Sequence, residues 1–117
     1  MLSKSNIDKC VRVLAEHDAV EQLVKLSEEC AELGQATLII IGNALVNGEL
    51  QCTENFCEEL SDVMTTAQEA MILFHITDDE INERSDWKLE RTLRNWRKCY
   101  DTQAYKKQNN NGLLYMP

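Results

Sequence analysis

The sequence predicts an all-α fold: a four-helix bundle with a short N-terminal helix and a flexible C-terminal tail. Three observations predict it. The single proline is the last of 117 residues, so it interrupts no helix interior. The four glycines, Gly34, Gly42, Gly48 and Gly112, stand far apart. Apolar residues recur three and four apart over long stretches separated by turn signals. The length suits one domain with its own core, expected over residues 1–107, with 108–117 as the tail.

Taken in order, Ser5 is expected to cap a first helix whose stripe is Ile7, Cys10, Val11 and Leu14, ending near His17. Asp18, with Glu21 three residues later, starts a second helix that runs to about Leu45. Its buried side is Val20, Leu23, Val24, Leu26, Ala31, Leu33 and Leu38. Residues 47–52 read as a loop, and Thr53 caps a third helix. There Phe56, Leu60, Val63, Met64, Ala67, Met71 and Phe74 repeat with helical period through to Ile76. Thr77 or Asp78 caps a fourth helix, with Ile81, Leu89, Leu93 and Trp96 spaced to pack inward. After Tyr100 polarity rises toward the tail.

The formal net charge of -8 argues against a protein that tracks a nucleic-acid backbone, since neutralising phosphates needs a basic surface. Metal cations are the natural counterpart. The five cysteines, at 10, 30, 52, 57 and 99, form no CxxC pair and fall mostly at apolar helical positions, which predicts buried thiols in a reducing cytosol. Lys4 is followed by no signal-peptide-like apolar run, and the longest strongly apolar stretch, 38–41, is too short to span a bilayer. A cytoplasmic protein with no membrane partner is expected.

Chemistry concentrates in two acidic segments. The second helix carries Glu28, Glu29 and Glu32, and the third carries Glu58, Glu59 and Asp62. Positions three apart share a helix face, so Glu29 with Glu32 and Glu59 with Asp62 each form a two-carboxylate ledge. If the helices pack antiparallel, the ledges face each other and their like charges require a counter-ion. A hard divalent cation held by oxygen ligands answers that need. Mg2+, for which Mn2+ can substitute, keeps waters and shares its remaining positions with phosphates, so it suits a site that activates water and stabilises a leaving pyrophosphate. The competing reading is that acidic residues three apart are simply solvated faces, since 20 of the residues are Asp or Glu.

On the fourth helix Lys88, Arg91 and Arg94 recur three apart, continued by Arg97, and are candidates for contacting the phosphates of a triphosphate. Cations near a helix C-terminus, with intrahelical partners such as Glu80–Arg84 and Glu90–Arg94, explain the row equally well. Lys25 is expected to pair with Glu29 one turn on, and Gln22 and Asn55 are polar groups near the same faces. His17 and His75 read as packing or capping residues, and Trp87 and Trp96 as core or interface.

These residues resemble the MazG-like family of all-α nucleoside triphosphate pyrophosphohydrolases, whose signature is EExxE, a variable spacer, then ExxD. The matching positions are Glu28-Glu29-x-x-Glu32 and Glu59-x-x-Asp62, with Gln22-Leu23-Val24-Lys25 and Lys88-Leu89-Glu90-Arg91-Thr92-Leu93 also similar to small stand-alone, phage-type members. The resemblance spans roughly residues 20–96. It implies that Glu29, Glu32, Glu59 and Asp62 ligate Mg2+, that Glu29 also belongs to the catalytic set, and that Glu28 is an outer-shell group or positions the attacking water. It implies cleavage between the α and β phosphates to give a nucleoside monophosphate and pyrophosphate, in nucleotide-pool house-cleaning. It further implies a homodimer or homotetramer, for which residues 38–41 with Gly34 and Ala36 are candidate interface positions. The alternative is a non-catalytic helical interaction or regulatory dimer with solvated acidic faces.

Overall fold

A computed structural model describes residues 2–100, with side chains through Trp96. These residues form four helices, α1 (Lys4–Glu16), α2 (Ala19–Asn47), α3 (Glu54–Leu73) and α4 (Asp78–Tyr100), with no strand among them. The fold is all-α. The expected tail at 108–117, and the side chains of Arg97 and Cys99, lie outside the described residues.

Local hydrogen bonding explains the helix boundaries. The first N-terminal cap is Ser3, whose hydroxyl accepts from Asn6 N, and not Ser5, which falls inside the first turn. Asp18 accepts from Val20 N at 2.6 Å and Thr53 from Phe56 N at 3.1 Å, as expected. At α4, Thr77 Oγ1 accepts from Glu80 N while Glu80 Oε2 accepts from Thr77 N, a reciprocal capping box. Helix α2 continues two residues past Leu45 and stops where Gly48 takes a left-handed conformation, φ 74°, that costs glycine little.

Helix α3 ends three residues before the expected Ile76. His75 N donates to Ile72 O and Ile76 N to Met71 O, the paired bonds of a Schellman motif, with His75 in the left-handed region at φ 55°. That conformation is strained for a residue with a Cβ.

Helix α3 is central to the N-terminal part of the chain, packing against both α2 and α1. Lys25 acts electrostatically on Glu69, whereas Glu29, one turn further along α2, meets Glu59 and Asp62 much earlier in α3. Helices α2 and α3 are therefore antiparallel.

The interior is thin and partly polar. Buried side chains are Cys10, Ala36 and Ala44, together with Thr66 and Glu69. Leu23, Leu26, Leu33, Phe56, Val63, Met64, Ala67 and Met71 are half-buried on the expected faces. Several expected core residues are instead exposed: Val20, Val24, Ala31 and Leu38 on α2, Leu60 and Phe74 on α3, and Ile81, Leu89, Leu93 and Trp96 on α4. Trp87, expected in core or interface, is exposed too. Apolar periodicity marks a face that avoids water, but burial needs an element to cover it.

Among the described thiols, the expectation of burial holds for Cys10 alone. Cys30, Cys52 and Cys57 are exposed. By internal contacts the chain divides into two compact units, Met1–Ile76 and Thr77–Pro117. No helix among the described residues is long and apolar enough to cross a membrane.

Candidate metal centre

The two ledges meet within the first unit. Glu29, Glu59 and Asp62 each offer a carboxylate oxygen, and these oxygens all lie within 4.8 Å of one another. Glu29 and Glu59 are half-buried, while Asp62 is exposed at the rim. Helix periodicity sets Glu59 and Asp62 on one face of α3, and the antiparallel packing brings Glu29 to meet them from α2. Glu32, the fourth expected ligand, is exposed and lies close enough for its charge to act on both Glu29 and Glu59. All four ledge carboxylates are thus brought together. Glu28 is exposed and stands outside the trio that shares the 4.8 Å cluster.

Electrostatics mark the cluster as strained without a counter-ion. Glu29 has its carboxyl pushed above the ordinary range by loss of hydration, then by the charges of Glu32 and Asp62, with Lys25 opposing. Glu59 is raised by loss of hydration, then by the close approach and charge of Glu32, and by the charges of Asp62 and Glu29. One oxygen on each, Glu29 Oε2 and Glu59 Oε2, is buried with no hydrogen-bond partner. An acceptor removed from water without a donor is costly.

The donor set fits a hard divalent cation. Only carboxylate oxygens converge, as Mg2+ and Mn2+ prefer. Two ligands on opposite sides of Mg2+ stand about 4.2 Å apart, so the observed spread closes onto an ion with small side-chain rotations. Toward solvent, Asp62 and Glu58 line an open groove of about 550 Å³ on α3 with Glu54, Cys57 and Ser61, leaving room for further ligands.

The basic row behaves differently. Lys88, Arg91 and Arg94 all lie on α4, in the second unit, and are exposed. Arg91 stacks over the Trp87 ring at 4.9 Å, and Lys88 and Arg94 line a surface depression with Glu80, Glu83, Asp86 and Glu90. The row is interleaved with acids on its own helix.

Sequence reasoning missed Glu69. It is 5% exposed, and its Oε2 is buried without a partner, as is Gln22 Oε1. It borders a small cleft between α1 and α3 with Asn6, Lys9, Cys10, Val13 and Thr65. Burial pushes its carboxyl up, opposed by Lys25 and His17, and burial together with Glu69 pushes up the Cys10 thiol. The available signal was a glutamate two residues before the apolar run at 71–73 on the same helix. Lys25, expected to pair with Glu29, acts on both Glu29 and Glu69. Of the two polar candidates near these faces, Gln22 is half-buried and Asn55 exposed.

No family model, curated protein or solved structure matches this chain.

Proposed function

We propose that this protein is a Mg2+-dependent nucleoside triphosphate pyrophosphohydrolase of the MazG-like kind, converting an NTP or dNTP to the monophosphate and pyrophosphate. The observation that carries the reading is the convergence of carboxylate oxygens of Glu29, Glu59 and Asp62 from two helices, with Glu29 and Glu59 each also burying an unpartnered oxygen. A merely solvated acidic face has no reason to bury and orphan its acceptors.

In this reading Glu29, Glu59 and Asp62 hold the cation, with Glu32, close to Glu29 and Glu59, as the fourth carboxylate of the set. Bound Mg2+ lowers the pKa of its water and neutralises charge developing on the phosphates. Glu28, exposed beside Glu29, accepts the proton of the attacking water as it adds to the α phosphorus. The bond to the bridging oxygen breaks and pyrophosphate leaves. Lys88, Arg91 and Arg94 are proposed to contact the phosphates, with Glu80, Glu83, Asp86 and Glu90 of α4 interleaved among them.

Self-association belongs to the same proposal. Leu38, Ile39, Ile41, Leu45 and Val46 all stand exposed on α2, Val46 at 84%, and several exposed apolar side chains along one helix suit a partner surface. A homodimer or homotetramer covering it is expected. Of the interface candidates, Gly34 is exposed and Ala36 is buried within the subunit.

The test is to incubate the protein with canonical and modified NTPs and dNTPs, with Mg2+, with Mn2+ and with chelator, and to assay monophosphate and pyrophosphate. Cation-dependent release of both products is expected. Absence of turnover across the panel would leave the exposed apolar stretch as the basis of a non-catalytic interaction dimer.

A further inference from the structure

The two exposed cysteines at the entrance to α3 form a site that the proposed hydrolysis does not use. Cys52 ends the loop before the cap residue Thr53, and Cys57 lies in the first turn of α3. Their sulfurs are 3.5 Å apart, and both side chains are exposed. The cap itself sets the spacing. Thr53 O accepts from both Cys57 N and Cys52 Sγ, so one carbonyl holds the two cysteines to the same side of the turn.

We propose that Cys52 and Cys57 form a dithiol site that undergoes thiol–disulfide exchange with small disulfides and closes an intramolecular Cys52–Cys57 bond. A disulfide needs its sulfurs about 2.05 Å apart, so closure requires about 1.5 Å of approach, which χ1 rotation of two exposed side chains supplies. Cys52 Sγ attacks one sulfur of the incoming disulfide, breaking its S–S bond and releasing one thiol. Cys57 Sγ then attacks Cys52 Sγ in the mixed disulfide and releases the second. The two cysteines are oxidised, the small disulfide is reduced to two thiols, and the two cysteine protons end on those thiols. Only four residues separate the pair, and an exposed bond closing so short a loop is the readily reduced kind. Glu49, Glu54 and Glu58 surround the pair in sequence and favour a neutral or cationic disulfide over an anionic one.

Cys30 provides an internal standard, because it is exposed and has no cysteine neighbour among the described residues. The full chain is treated with 2-hydroxyethyl disulfide, quenched by alkylation in denaturant, and cleaved at glutamate. Cleavage after Glu54 separates Cys52 from Cys57, so their peptides stay together only through the bond. The linked pair should exceed mixed adducts at these two positions by at least about tenfold, since the neighbouring thiol competes at high effective concentration. Cys30 should carry the mixed adduct alone, and dithiothreitol should restore both thiols. In Cys57→Ser the adduct on Cys52 should persist as it does on Cys30. Mixed adducts at Cys52 and Cys57 in the same proportion as at Cys30, or links only between chains, would overturn the proposal. Neither result depends on nucleotide hydrolysis.

Discussion

Helices α2 and α4 both place charged residues at helical spacing beside apolar ones, sparsely on α2 and densely on α4, and they end in opposite environments. On α2, packing against α3 removes water from Glu29, orphans one of its oxygens and raises its carboxyl. On α4 every described side chain is exposed, from Asp78 through the Lys88, Arg91 and Arg94 row to Trp96. The difference teaches that a periodic charge pattern becomes a chemical site only where a second helix strips its hydration. In bulk water the same ledge is an ordinary solvated face.

The sharpest way to break that contrast is to neutralise each side. Glu59→Gln or Asp62→Asn should lower turnover at least about 100-fold, because each removes a proposed cation ligand. Combined Lys88→Ala, Arg91→Ala and Arg94→Ala should cost about tenfold in kcat/KM, through KM, as lost phosphate contacts do. Steady-state kinetics decides between them: wild-type kcat/KM in the triple variant would make the α4 row solvated surface, and full turnover in Glu59→Gln would remove the site from α2 and α3.

The exposed apolar end of α2 comes next. Leu45→Ser with Val46→Ser should weaken self-association at least about tenfold, read by sedimentation at micromolar concentration. A wild-type chain that is already monomeric there would detach the apolar stretch from any oligomer.

Acidity sharpens the comparison further. The carboxyls of Glu29, Glu59 and Glu69 are raised above the ordinary glutamate value of 4.5. Their contribution to stability is therefore fully present below that value and is lost as pH rises through their folded values. Thermal melts without divalent ions should show a higher Tm near pH 5 than near pH 7.5, relative to a Glu29→Gln, Glu59→Gln, Glu69→Gln variant. Mg2+ should raise Tm by a few degrees at pH 7.5 and much less near pH 5. Glu69→Gln alone should raise Tm at pH 7.5 without altering the Mg2+ increment, since Glu69 lies outside the cation trio. A Mg2+ increment that disappears with Glu69→Gln would move the cation toward the α1–α3 cleft.

The smallest expected effect is at the junction of the two units. His75→Gly relieves a left-handed backbone and should stabilise by up to about 1 kcal/mol, read by denaturant unfolding. A loss of stability there would mean that the imidazole contributes more than the backbone strain costs.

Much of this was legible in residue order. Asp18, Thr53 and Thr77 were readable as caps because a side-chain oxygen two or three residues from its donor acts locally. Ser3 was misread as Ser5 because two serines in one turn are equally able to cap. The end of α3 escaped because His75 occupies a conformation that sequence reasoning assigns to glycine. The carboxylate ledges were visible as an i, i+3 pattern, but Glu69, surrounded by the same apolar periodicity, was not.

Residue order by itself determined four helices, where most of them begin, and which carboxylates share a face, because those follow from hydrogen bonds and periodicities spanning a few residues. Tertiary structure alone decided that Glu29 meets Glu59 and Asp62, that Glu69 is buried, and that the subunit leaves the apolar side chains at the end of α2 exposed. Desolvation is set by what lies within a few ångströms in space, and the register of one helix against another is a property of no single segment.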